Sequence, residues 1–260
     1  MKLFSIITIC RNNLKELKRT YFSIRDQSFS NFEWIVVDGA STDGTAEWLK
    51  KNALARFRSE PDNGIFDAMN KGLSRAKGDY IIFMNSGDRF AHNDVLEKIA
   101  RVIEEHSLPG FIYGDSLDID QNRKPHYRKA KNATLIWRGM ITQHQAMFFK
   151  SNAIGDTRYR QEYPTTADYA FVAEILQKLD PEDIVKVDFP VCKFEMGGVN
   201  EQQRFKALKE DRQIRINIMK MPVWKAEMLY ALHWVHTRMK KQFPESRFLM
   251  HKEVESAKHG

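Results

Sequence analysis

The chain has 260 residues, 42% hydrophobic and 29% charged, with a formal net charge of +7. That composition suits one large folded domain, or a domain with an appendage, and excludes a disordered polymer. Two cysteines, Cys10 and Cys192, make no disulfide framework or CxxC zinc pair, no apolar run approaches a membrane span, and the basic balance favours anionic partners.

Met1–Ser5 run directly into a strand-like pattern without a cleavable leader, so a cytoplasmic protein is expected. Phe4–Ile9 is a β-branched run suited to a central strand, and Cys10 closes it as a small core residue. Asn12 or Asn13 can cap the helix that follows, which carries Leu14, Leu17, Tyr21 and Ile24 on one face. Phe32–Val37 is the second strand, and the turn Asp38–Thr45 after it is dense in small and acidic residues. Asp43 is expected to cap or to close an Asx turn, whereas Asp38 stands at the strand end itself and is the ligand candidate. A helix through Ala46, Trp48 and Leu49 leads to a third strand, Arg56–Ser59, ended by Glu60–Gly64. The next helix aligns Ile65, Met69, Leu73 and Ala76.

Tyr80–Met84 is a fully apolar strand that ends in Asn85-Ser86-Gly87-Asp88. Taken alone, that stretch reads as a chain-reversing turn. Four strands alternating with three helices, however, predict a parallel Rossmann-like sheet with right-handed crossovers. All four polar strand ends then share one edge, where open α/β sheets bind ligands. No GxGxxG or GxxxxGK[ST] cradle follows a strand, so Asp38 and Asp62 are the expected partners of a base N–H or ribose hydroxyls.

Further on, Val95, Ile99, Val102 and Ile103 mark a helix, Phe111–Tyr113 a short strand, and Asp118–Lys131 an exposed hairpin or loop rich in Lys, Arg and Asn. Thr142–Phe149 joins a polar segment containing His144 and Gln145 to a strand. Thr165 or Thr166 caps a helix with Asp168 in its first turn. A carboxylate there favours the helix dipole without any function, and it is equally a well-oriented general base. Ile184–Phe189 reads as another strand, and Gly197-Gly198 permits close approach to a ligand, or only a turn. A charged helix spans Gln202–Arg215, and another spans Pro222–Phe243 with Trp224, Met228, Ala231, Trp234 or Val235, and Met239 on one side. The latter suits either a membrane surface or packing against the domain.

Together the stretches Ser5–Thr8, Trp34–Thr45, Glu60–Gly72, Asn85–Asp88 and Ala167–Tyr169, in this order over about 170 residues, resemble the family-2 glycosyltransferases of the GT-A fold. The similarity looks greatest to bacterial transferases of exopolysaccharide assembly, such as those of colanic acid, and fades beyond about residue 200. The resemblance implies an α/β fold with a mixed, mainly parallel sheet over residues 1–200, followed by a helical C-terminal extension at 201–260. It implies that Thr8, Arg11, Asn12, Asp38, Asp62, Gly64 and Asn85 surround the nucleotide, and that Asp88 stands where the DxD metal motif does. Here Asn85 and Gly87 replace two of the usual acids, which leaves Asp88 as the metal ligand for Mn2+ or Mg2+. It further implies that Asp168 is the catalytic base; beside it, His144, Gln145, Gly197 and Gly198 are the residues expected to line the donor or acceptor sugar site.

The expected activity is inverting transfer from a nucleoside-diphosphate sugar, UDP before GDP, to a hydroxyl of a glycan or polyprenyl-linked glycan at the inner membrane face. Three other readings compete with it. A nucleotidyltransferase would need a glycine-rich, arginine-bearing first loop, and Arg11-Asn12-Asn13 is not one. A non-catalytic nucleotide-sugar binder is compatible with the reduced metal motif, but Asp168 in its helix-start setting speaks against it. Nucleic-acid binding lacks any recognised module.

Overall fold

The computed structural model describes residues 2–52, 54–196 and 203–242, with all their side chains except those of Lys240 and Lys241. Strand β1 (Phe4–Cys10) is apolar on both faces and therefore needs cover on both. Phe4 and Ile6 pack into one layer with Leu17, Ile24, Leu49 and Ile99. Ile7 packs into the opposite layer with Met69, Leu73, Phe171 and Ile175. Strands β2 (Phe32–Asp38), β3 (Ala55–Ser59) and β4 (Tyr80–Phe83) lie parallel to β1 in the order β3-β2-β1-β4. Their crossovers are α1 (Leu14–Arg25), α2 (Thr45–Lys50) and α3 (Ile65–Leu73), the expected alternation.

Beyond β4 the sheet becomes mixed. It continues through β8 (Met147–Lys150), antiparallel to β4, then β6 (Phe111–Ile119), β9 (Ile184–Glu195) and the two-residue β5 (Arg89–Phe90). With β7 (Pro125–Arg128) paired to β6, the sheet has nine strands among the described residues. Helix α4 (Val95–Glu105) covers one face, and α6 (Ala167–Leu176) the other. The short α5 (Ser151–Ile154) closes the end of β8.

Two strands run further than their sequences suggest. β6 continues past Tyr113 to Ile119, and β9 passes through Pro190 to Glu195, with an irregular register around Gly114. The hairpin expected within Asp118–Lys131 is present, and all of β7 is exposed. Asp115 and Asp118 are not exposed, however, at 1% and 8%. Asp115 accepts the Ala130 N–H at 2.7 Å and the Tyr127 hydroxyl, and Asp118 accepts from Ser116 Oγ at 2.8 Å and from Gln143 Nε2. These carboxylates are buried because the hairpin and the Gln143 segment supply donors to both.

The C-terminal helices are α7 (Arg204–Asn217) and α8 (Val223–Gln242). α7 packs on the sheet unit, with Ile214 fully buried in the same layer as α6. α8 is two-faced. Ala226 and Leu229 are buried, and Trp234 rests 6.0 Å from the Phe205 ring. The other face exposes Trp224, Met228, Leu232, Val235 and Met239, each between 49% and 69% accessible. The packing expected of this helix is observed on one face, and the other face is apolar and exposed. No helix among the described residues is long and apolar enough to cross a membrane.

Candidate active site

The register of the parallel strands brings Cys10, Asp38 and Ser59 side by side at their carboxyl ends. The loops beyond are stitched together. Asn12 takes a left-handed backbone (φ 50°), and its side-chain oxygen accepts the Thr42 N–H at 2.8 Å. The Asn12 N–H donates to Ser41 Oγ at 2.7 Å. Helix α1 begins after Asn13, but no asparagine side chain caps it; Asp43 does, accepting from Leu14 N at 2.9 Å. Asp43 also accepts from Thr45 N and Oγ, so the capping role read for it in the sequence is present at two helices. These bonds, Thr45 foremost, hold its carboxyl below the usual range.

Asp38 is fully buried, and both of its oxygens accept from its own surroundings: Ser41 N at 3.2 Å, Ser41 Oγ, and Ser59 Oγ at 2.5 Å. Asp62 forms an Asx turn, accepting from Gly64 N at 2.9 Å, and Gly64 has the positive φ (106°) that favours glycine. A Cβ at Gly39 would collide with the Asp62 carboxylate and stand 3.2 Å from the Arg11 stem. Arg11, Asp38, Gly39 and Asp62 therefore converge at one edge, as the four-loop reading requires.

The fourth strand end joins through Thr20. Its hydroxyl donates to the Asp88 carbonyl at 2.8 Å and accepts from Gly87 N at 2.9 Å, which fixes the turn against α1. Asp88 itself is 6% exposed. Gln145 Nε2 donates to its Oδ2 at 2.8 Å, and Glu195 N to its Oδ1 at 3.2 Å. Burial pushes the carboxyl up to about 7 against these two donors. Close by in sequence, Asn85 Oδ1 is buried and has no protein partner. One carboxylate and one free amide oxygen are hard donors that fit Mg2+ or Mn2+. No group of three His, Cys, Asp or Glu gathers for a metal among the described residues. A cation here would thus draw most of its ligands from nucleotide phosphates and water.

Asp168 opens α6, and its Oδ1 accepts its neighbour's N–H, Tyr169 N, at 2.9 Å. Burial, with Asp211 and Glu210 nearby, raises its carboxyl to about 6. It lines a cavity of about 290 Å³ together with Arg138, Arg204, Asp211, His233 and others. The α6 start is held from α7. Glu210 Oε2 accepts from Thr165 N at 2.8 Å, Thr166 N at 3.0 Å and Thr166 Oγ1 at 3.1 Å. Thr166 occupies the cap position, yet the capping oxygen belongs to Glu210. Replacing Glu210 by alanine orphans two buried N–H groups, a cost of about 1–3 kcal/mol. The urea midpoint and the transfer rate should both fall, and Glu210→Gln should recover most of each; an unchanged midpoint in the alanine variant would refute this role.

Several expected site residues sit elsewhere. The Thr8 side chain faces the core: its hydroxyl donates to Met84 O at 2.7 Å, accepts from Trp34 Nε1 at 2.9 Å, and is 0% exposed. Fully buried and engaged both as donor and as acceptor, the side chain belongs to the core, which corrects its assignment to the nucleotide. His144 lies in an aromatic cluster with Phe83, Phe149 and Phe171, and its Nε2 meets Tyr159 Oη at 3.0 Å. Burial pushes its pKa down to about 3, so it stays neutral and makes no charged contact with a sugar or phosphate. Gln145 faces Asp88 directly. Gly197 and Gly198 lie outside the described residues. Glu195, Glu210, Asp211 and Arg204 join the site from regions where the sequence showed only a strand end and a charged helix.

The family model of glycosyl transferase family 2 matches residues 5–169. An uncharacterized glycosyltransferase of Mycobacterium tuberculosis is 30% identical over 215 residues, 80% of each chain. Among solved structures, Staphylococcus aureus TarS 1-349 in complex with UDP-GlcNAc aligns at TM-score 0.67 and 19% identity, covering 89% of this chain and 71% of that one. The mannosyltransferase PcManGT from Pyrobaculum calidifontis, solved with GDP-Man and Mn2+, aligns at TM-score 0.63 and 14% identity, covering 98% and 80%. Fold and family agree with the motif reading.

Proposed function

The chain belongs to glycosyl transferase family 2, and from that premise we propose an inverting transfer from a nucleoside-diphosphate sugar to an acceptor hydroxyl in bacterial polysaccharide synthesis. The observation that supports this most is Asp168, a carboxyl tuned to about 6 at a helix start on the wall of a cavity. It takes the hydroxyl proton as that oxygen forms its bond to the anomeric carbon. The bond to the leaving diphosphate oxygen breaks on the opposite face, and the electron pair departs with the nucleoside diphosphate. Arg11, Asn12, Asp62 and Gly64 border the nucleotide, and Asp38 shapes that wall through Ser41 and Ser59. Asp88 and Asn85 would hold a divalent cation, which when bound neutralises charge on the departing diphosphate. Gln145 and the Glu195 N–H orient the Asp88 carboxylate. A UDP-sugar is the preferred donor, in keeping with what TarS holds. Screening nucleotide sugars for release of nucleoside diphosphate, with and without Mn2+, tests the reading. Release from none of them would refute it.

The acceptor is a glycan or lipid-linked glycan met at the cytoplasmic membrane face. The exposed apolar residues of α8 recur at four, four, three and four positions, a stripe along one side, with Arg238 beside it. Leu232→Glu combined with Val235→Glu should abolish co-sedimentation with anionic phospholipid vesicles and leave the melting temperature in place. Undiminished co-sedimentation would remove the membrane assignment.

A further inference from the structure

The cavity beside Asp168 has an unusual charge for a site that accepts a neutral hydroxyl. Arg128, Lys131, Arg138 and Arg204 line it against two carboxylates, Asp168 and Asp211, with His233 and His236 on the α8 side. Arg128 has a partner, Asp118, at 3.3 Å. Lys131, Arg138 and Arg204 enter no ion pair with a carboxylate within hydrogen-bonding reach among the described residues. Crowding shows in Lys131, whose pKa is lowered by burial and by Arg128 and Arg138. His233 Nδ1 is buried and unpartnered on the same wall. Arg138 is also held in place: fully buried Arg215 donates to Trp137 O at 2.8 Å and to Arg138 O at 3.3 Å. Cations around a cavity that no salt bridge neutralises are the arrangement that binds an anion.

We propose that this cavity binds a phosphoryl group of the acceptor, placing that group between Arg138, Arg204 and His233 while the acceptor hydroxyl reaches Asp168. The proposal rests on the transferase reading, and it narrows the acceptor to a phosphorylated one. Arg128, Lys131, Arg138 and Asp168 lie within the matched family segment, and Arg204, His233 and His236 complete the cavity from beyond residue 169. Guanidinium groups match phosphate oxygens in pairs, and the volume, at the low end for small-molecule sites, admits a diphosphate with part of a sugar.

The test is calorimetric titration of the full chain with inorganic pyrophosphate after saturation with UDP, so that the donor's own phosphate site is filled. Wild-type protein should bind pyrophosphate, and Arg138→Ala and Arg204→Ala should each weaken binding by about tenfold or more. Both side chains are exposed at the surface, so neither substitution opens the core. Farnesyl diphosphate binding more tightly than pyrophosphate identifies a lipid-linked acceptor; equal binding identifies a soluble phosphorylated one, and both outcomes support the site. Absence of pyrophosphate binding, equal binding by the variants, or tighter binding of glucuronate overturns it. Failure to bind UDP at the first step would instead count against the donor reading, and the comparison of wild type with Arg138→Ala and Arg204→Ala then still decides whether pyrophosphate binds in this cavity.

Discussion

Asp168→Asn is expected to fold like the parent and to lose sugar transfer by about 10²–10⁴-fold. The amide cannot take the acceptor proton, but it keeps the shape of the side chain and an oxygen for Tyr169 N. The pH behaviour gives the assignment a second readout. A carboxyl raised by burial to about 6 binds its proton more tightly in the folded chain than in the unfolded one. Its ionisation therefore costs stability, beginning as pH rises past its unfolded value of about 3.9 and complete above the folded value. The neutral amide removes that cost, so the variant should melt at or above the parental temperature at pH 8. Parental transfer at saturating substrate should climb with pH through about 6 as the base ionises. Transfer by Asp168→Asn at the parental rate would show that the base lies elsewhere.

Asp88→Asn should weaken metal-dependent binding of the nucleoside diphosphate and lower transfer by about 10²–10³-fold. Both Asp88 oxygens accept from donors, Gln145 Nε2 and Glu195 N, so either orientation of the new amide sets an NH2 against a donor. Melting must therefore be measured beside binding. Asp88→Ala removes the ligand and leaves the two donors unpaired. If either variant stays folded and binds nucleotide with the parental dependence on Mn2+, Asp88 is not the metal ligand.

The parts of this site that lie at strand ends were legible in the sequence because strand parity and crossover handedness are local rules. They place Arg11, Asp38, Asp62 and Asn85–Asp88 on one edge without reference to distant residues. Parity also bears on Thr8, which shares a face with Phe4 and Ile6, both in the core; its polar side chain invited a ligand role that the buried Trp34 indole had already taken. His144 followed the same course, being drawn into the aromatic layer by Phe83 and Phe171. Glu195 was hidden behind Pro190, which reads as the end of a strand, although β9 continues past it, paired with β6 as far as Glu195 and with β5 at Cys192 and Lys193. Glu210 and the α6 start it caps are 44 residues apart, and no periodicity on a charged helix distinguishes it from Lys209 beside it. The α7 pattern misleads further at Arg215, a cation with no exposed surface.

The central claim is that Asp168 drives direct displacement, with no covalent sugar–enzyme intermediate. Once a donor is identified, the anomeric configuration of the product, read by proton NMR from the coupling of its anomeric hydrogen, tests it most directly. An α-linked nucleotide sugar should give a β-linked product; an α-linked product would contradict the mechanism.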